Sequence, residues 1–180
     1  QSENHFAGDS EFHSAGGEWR VERQRLSWPI LDAFRTAAEQ SGIASIDDFN
    51  RGDNEGCGYF QVNQKAGVRW NAAKAFLKPA AQRPNLTVLT GVEVDRVVLE
   101  NGRASKVVAR WQGQSRSFGA RREIILSAGS VGSPGILQRS GIGPVDLLKR
   151  LGINVVHPLN GVGGNLQDHL QLRLIYQLEN

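Results

Sequence analysis

Residues 123–127 form a short apolar run, Glu-Ile-Ile-Leu-Ser, that stops abruptly at Ala128-Gly129, where the side chains shrink to a methyl group and a hydrogen. The aliphatic content of that run predicts a buried strand of a parallel sheet. Ser130 to Pro134 then supplies a helix start, with Ile136-Leu137 on its apolar side. A strand, a small-residue bend and a helix in that order make up half of a βαβ unit. Small residues at the carboxyl end of a parallel strand let a bound cofactor approach the main chain. Any α/β domain can contain such a turn, so its surroundings decide what it means.

Upstream lie three β-rich runs, residues 86–89, 92–99 and 106–111, interrupted by Gly91, Asn101-Gly102 and Gly113. Asn-Gly between alternating apolar runs predicts a hairpin, and residues 115–118 can add a further short strand. Downstream, Pro144 opens a helix with Val145, Leu147, Leu148 and Leu151 inward, and Gly152 closes it. Residues 153–157 read as another short strand. The expected order is therefore a meander, a parallel strand, a helix, and a helix–strand pair.

The first third of the chain is different. Residues 1–25 are polar, and His5 and His13 lie eight apart in what reads as a loop, where both are expected to face solvent rather than a metal. Ser27 can cap a helix with Pro29 in its first turn. Ile30, Leu31, Phe34, Ala37 and Ala38 recur at helical spacing until Gly42. That apolar face requires a packed partner. Asp47, Asp48, Asp53 and Glu55 sit in a glycine-rich loop but lack the alternating ligands and terminal Glu of a calcium-binding loop. Residues 59–62 read as a strand, and residues 69–80 as a helix limited by Pro79.

Several function classes fall away on composition. A chain of 180 residues that is 39% hydrophobic can bury one core, or two small ones. Its net charge of +3 comes from Lys and Arg dispersed among Asp and Glu, which argues against a nucleic-acid surface. Cys57 is the single cysteine, so there is no intrachain disulfide and no CxxC metal pattern. A lone thiol fits a reducing compartment. No apolar run is long enough to span a bilayer, and the polar, acidic first residues are not expected to be a signal peptide. A cytoplasmic location is the expectation.

Two longer strings carry a resemblance. Ser130, Ser133-Pro134, Ile136-Leu137 and Ser140-Gly141-Ile142-Gly143 resemble the second signature of the glucose–methanol–choline (GMC) family of FAD-dependent alcohol oxidoreductases. Gly161-Val162-Gly163 followed by Asn165-Leu166-Gln167-Asp168-His169 is similar to a second family motif, in the family's order. Gly16-Gly17 through Val21, and Asp48-Phe49-Asn50 through Gln61-Val62, resemble the family's passages into and out of its substrate domain. Two departures stand out: Arg69-Trp70-Asn71-Ala72-Ala73 matches the family pattern only in part, and Asn160 replaces the proline usual before Gly161.

The resemblance implies an α/β fold. It comprises a partial Rossmann-like FAD-binding domain with a β-meander crossover, plus part of an α+β substrate-binding domain. Residues 1–60 would belong to the substrate-binding cap, 61–165 to the centre of the FAD-binding domain, and 166–180 to the next substrate-domain strand. Val94 would hold the adenine edge through its main-chain N–H and C=O. Ser127, Ala128 and Gly129 would let the backbone lie near the ribose and phosphates. No Gly-x-Gly-x-x-Gly occurs, and the family's catalytic histidine and its partner are expected beyond Asn180. The chain is thus expected to be an internal piece of a longer enzyme, without turnover by itself. His157 and His169 are expected to be structural.

The implied reaction is oxidation of a primary alcohol to an aldehyde by hydride transfer to flavin, with oxygen or a quinone as acceptor and neither metal nor nucleic acid as partner. A flavin-bearing hydroxynitrile lyase and a non-catalytic remnant domain are the alternatives.

Overall fold

The computed structural model describes residues 2–177, and the chain divides into two compact units, Gln1–Val88 and Leu89–Asn180. Mixed α/β structure runs through both.

In the first unit, β1 (Glu3–His5) pairs in parallel with β2 (Trp19–Arg23), setting Glu3 opposite Trp19 and His5 opposite Val21. β3 (Gln61–Val62) pairs antiparallel on the other side of β2, and β4 (Gln64–Lys65) and β5 (Val68–Arg69) form a separate ribbon. α1 (Pro29–Gln40) starts at the expected proline, whose missing N–H costs nothing in a first turn. Trp28 rather than Ser27 occupies the cap, and no side chain bonds there. The apolar stripe of α1 is only partly partnered. Ala38 is buried, but Ile30, Leu31 and Phe34 are exposed, Phe34 by 63%.

The predicted helix over residues 69–80 is shorter and irregular. Arg69 belongs to β5, and a π-helical turn (Ala73–Leu77) precedes α2 (Lys78–Ala80). Proline is the physical cause. Pro79 has no N–H to donate four residues back, and the ladder widens just before it, with the Lys78 N–H bonding the Ala73 carbonyl. Ala75 is fully buried, and Phe76 stacks on Trp19 with centroids 5.8 Å apart.

The second unit is built on an antiparallel meander: β6 (Val92–Glu100), β7 (Arg103–Trp111) and β8 (Gln114–Gly119), in that spatial order. Both connections are two-residue turns with two left-handed residues, Asn101 (φ 53°) with Gly102 (77°) and Gln112 (52°) with Gly113 (76°). That conformation matches strand twist in a tight hairpin. α3 (Gly129–Arg139) packs on β6. β9 (Ile142–Gly143), α4 (Val145–Arg150) and β10 (His157–Pro158) follow, with β9 and β10 parallel. Val97, Ala109, Ile136 and Leu148 are this unit's buried apolar residues.

Five expectations change here. Residues 123–127 lie in no strand, and Ile125 is 75% exposed. A parallel strand exists only through ladders to its neighbours, and no described residues supply them. Residues 86–89 are likewise outside any strand, and of 153–157 only the last residue, His157, lies in one. Leu151 is exposed, not inward. Residues 170–177 form no strand and are exposed; Leu178 lies outside the described residues.

Candidate functional site

Small side chains at the head of a helix expose main-chain N–H groups, and α3 begins that way. Ala128 is its cap residue and makes no side-chain cap bond; its own N–H donates to Ser133 Oγ at 2.9 Å. Gly129 follows at φ 83°, the left-handed region that an L side chain enters only with strain. A Cβ built there meets nothing within 4 Å. The glycine therefore serves the backbone turn, and the bend is open. Ser127, Ala128 and Gly129 are all exposed. An uncapped helix start with free N–H groups suits a phosphate.

Val94 lies elsewhere along the same helix. β6 is an edge strand: β7 pairs along one side, and α3 covers part of the other. Val94 faces Ala109 and Arg96 faces Val108, so Asp95 is an extra, bulged residue. The Val94 carbonyl accepts a bond from the Arg139 guanidinium at 3.3 Å, and the Asp95 carbonyl accepts one from Arg139 Nε at 2.7 Å. Arg139 is the last residue of α3, whereas Gly129 is the first. Eleven residues separate the two places by about 16 Å along the helix axis. Beside Val94 lies an open hollow of about 580 Å³, lined by Asp95, Arg110, Ser115 and Arg139 among others. The strand edge is roomy and carries main-chain polar groups, and the helix head is bare.

The first unit holds a cluster that no local pattern announces. His13 bonds Asp48 through Nε2 at 2.6 Å and Glu3 through Nδ1 at 3.2 Å. Both ring nitrogens therefore face carboxylates, which is the arrangement of an imidazolium. Burial works against that charge, but the bonds to Asp48 and Glu3 outweigh it and raise the His13 pKa. For Asp48, burial is outweighed by the Asn50 N–H and by His13, and its pKa is lowered. Glu3 is lowered in the same way, by the Ser14 N–H and His13.

His5 stacks on His13 with centroids 4.0 Å apart and planes 11° apart, and its Nε2 pairs with Gln61 Oε1 at 3.2 Å. The expectation of two solvent-facing histidines is thus corrected: both are buried. His5, His13 and Asp48 offer donor atoms within 4.8 Å of one another. Nearly parallel rings, however, cannot aim their in-plane lone pairs at one ion, and His13 has already committed both nitrogens. The cluster is an ion-paired strut tying residues 3, 13 and 48.

His169 is exposed, and its main-chain N–H bonds the Asp168 carboxylate at 2.7 Å, without an ion pair between the side chains. His157 is exposed in β10. The basic pair Arg121-Arg122 meets Arg103, whose guanidinium donates to both main-chain carbonyls at 2.9 and 2.7 Å. No helix of the described residues is long and apolar enough to cross a membrane.

The GMC oxidoreductase family matches residues 9–171. The chain is 40% identical over 168 residues to an oxygen-dependent choline dehydrogenase of Rhizobium etli, covering 88% of this chain and 30% of the relative. It is 42% identical over 172 residues to the mitochondrial choline dehydrogenase of Homo sapiens, covering 96% of this chain and 29% of the relative. Among solved structures, pyridoxine 4-oxidase from Mesorbium loti superposes with a TM-score of 0.81 at 31% identity, covering 87% of this chain and 31% of that one. The chain thus spans about 30% of the length of the curated relatives it matches.

Proposed function

The chain belongs to the GMC oxidoreductase family, and from that premise we propose that it is a section of an FAD-dependent oxidoreductase that converts a primary alcohol to an aldehyde. The observation that carries this reading is the open, left-handed bend at Ala128-Gly129 at the head of α3. Choline, named for both curated relatives, is a primary alcohol, which supports that substrate class.

In this reading Val94 holds the adenine through its peptide groups at the bulged edge of β6. Ser127, Ala128 and Gly129 present bare main chain to the ribose and phosphates. Residues 61–165 supply the cofactor side, residues 1–60 the cap over the substrate, and residues 166–180 lead back into the cap. When bound, FAD supplies the hydride acceptor. This chain's residues would orient it. Oxygen is the favoured final acceptor, as the Rhizobium relative's name states for that protein. The single free thiol, Cys57, goes with a cytoplasmic location.

The test is a titration of the full-length protein with FAD, followed by anaerobic mixing with primary alcohols. Binding followed by alcohol-dependent flavin bleaching and aldehyde formation is expected. Failure to bind FAD, or cyanohydrin cleavage with no electron acceptor and no bleaching, overturns the proposal.

A further inference from the structure

A bulge leaves one residue of a strand without a ladder partner and turns the strand more sharply, so whatever holds it decides where the adjoining peptide groups point. On β6 that residue is Asp95, next to Val94. Arg139 reaches the place with one planar group. Its Nε donates to the Asp95 carbonyl at 2.7 Å and lies 3.6 Å from an Asp95 carboxylate oxygen, while a terminal nitrogen donates to the Val94 carbonyl at 3.3 Å. The guanidinium is a rigid fork of donors, which fixes the angle between two successive carbonyls in a way a lysine cannot.

The neighbouring residue completes the attachment. Ser140 Oγ accepts the Val97 N–H at 2.8 Å and donates to the Ile136 carbonyl at 2.6 Å. Two successive side chains at the end of α3 therefore seize the free edge of one strand, on the bulge and three residues past Val94. The Val94 carbonyl keeps a second lone pair, and Val94 lines the open hollow together with Arg139 and Asp95.

We propose that Arg139 is a positioning residue for adenine recognition: it locks the Asp95 bulge so that the Val94 peptide groups present a donor–acceptor pair to the base. This rests on the flavin reading above and adds to it a residue outside the expected contact set. The Asp95 carboxylate lies beside the Arg139 guanidinium and also pairs with Arg96, and Arg139 itself need not touch the cofactor.

The experiment compares FAD with its hypoxanthine analogue on the full-length enzyme. Hypoxanthine carries N1–H and O6 where adenine carries a bare N1 and an N6 amino group, so a peptide pair that reads adenine rejects it. Wild type is expected to prefer FAD by about tenfold or more, the discrimination of a two-bond contact. Arg139→Met is expected to erase most of that preference, and Arg139→Lys to restore only part of it, with the apoenzyme melting temperature recorded alongside. Equal weakening of both cofactors by Arg139→Met would make the residue a plain helix–strand tether. An unchanged preference in Arg139→Met, or no preference in wild type, also overturns the proposal while leaving flavin binding intact. A wild-type enzyme that binds no FAD removes the flavin reading itself, and this inference with it.

Discussion

His13 Nε2 lies 2.6 Å from a carboxylate oxygen of Asp48, 35 residues away in the chain, and both residues are buried. With Glu3 on the other ring nitrogen, one imidazolium holds two carboxylates and ties the strand β1, the loop before β2 and the segment after α1 to one point.

Removing the imidazole leaves both carboxylates without their cation. His13→Ala is expected to destabilise the first unit by about 3–5 kcal/mol, the usual cost of breaking a buried pair from one side. Asp48→Asn, which keeps a hydrogen-bonding group in place, should cost less. Thermal and denaturant unfolding of the two variants measures the difference, and an equal or smaller loss for His13→Ala counts against the strut.

The same cluster predicts a pH profile. The His13 pKa is raised on folding, so its contribution is complete below the ordinary histidine value of about 6.5 and fades as the pH climbs through the raised folded value. The pKa values of Glu3 and Asp48 are lowered, so their contribution is complete above about pH 4.5 and fades as the pH falls through their lowered folded values. Melting temperature should therefore hold a plateau between those limits and fall on both sides. In His13→Gln the alkaline fall should flatten; a persistent, unaltered alkaline limb would assign it to other groups.

Ser140 is 6% exposed and bridges the Val97 N–H to the Ile136 carbonyl. Ser140→Ala strands a buried donor on β6, at an expected cost of about 1–3 kcal/mol. Hydrogen exchange at the Val97 amide should accelerate in the variant more than exchange at residues of β8. Uniform acceleration across the meander would indicate global loosening instead.

Gly129 sits at φ 83° with open space around its Cα. Gly129→Ala meets no clash, so its expected cost of about 1–2 kcal/mol is backbone strain alone. On the proposed function the variant should also bind FAD about tenfold or more weakly, since relief of that strain moves the helix start. Fluorescence titration of the full-length enzyme checks it, and unchanged affinity with reduced stability would remove the bend from the cofactor site.

The two hairpins were legible because their causes are local. A left-handed pair such as Asn101-Gly102 is chosen by two residues whose own sterics permit it. The start of α1 at Pro29 and of α4 after Pro144 were legible for the same reason. Residues 123–127 lie outside any strand because apolar, β-branched composition describes only what a strand needs, while the ladder belongs to neighbours. Pro79 limits the helix, which ends at Ala80, and its missing N–H also goes with the widened turn just before it.

The sequence by itself determined the turns, the helix starts, the bend at Ala128-Gly129 and the family, since each is written in adjacent residues or in a motif of fixed spacing. Only the tertiary structure decided that His13 meets Asp48 and Glu3, and that Arg139 closes on the Asp95 bulge. Those contacts join residues 10 to 45 positions apart. Contacts at such range depend on how strands pair and where a helix end lands, which no spacing along the chain encodes.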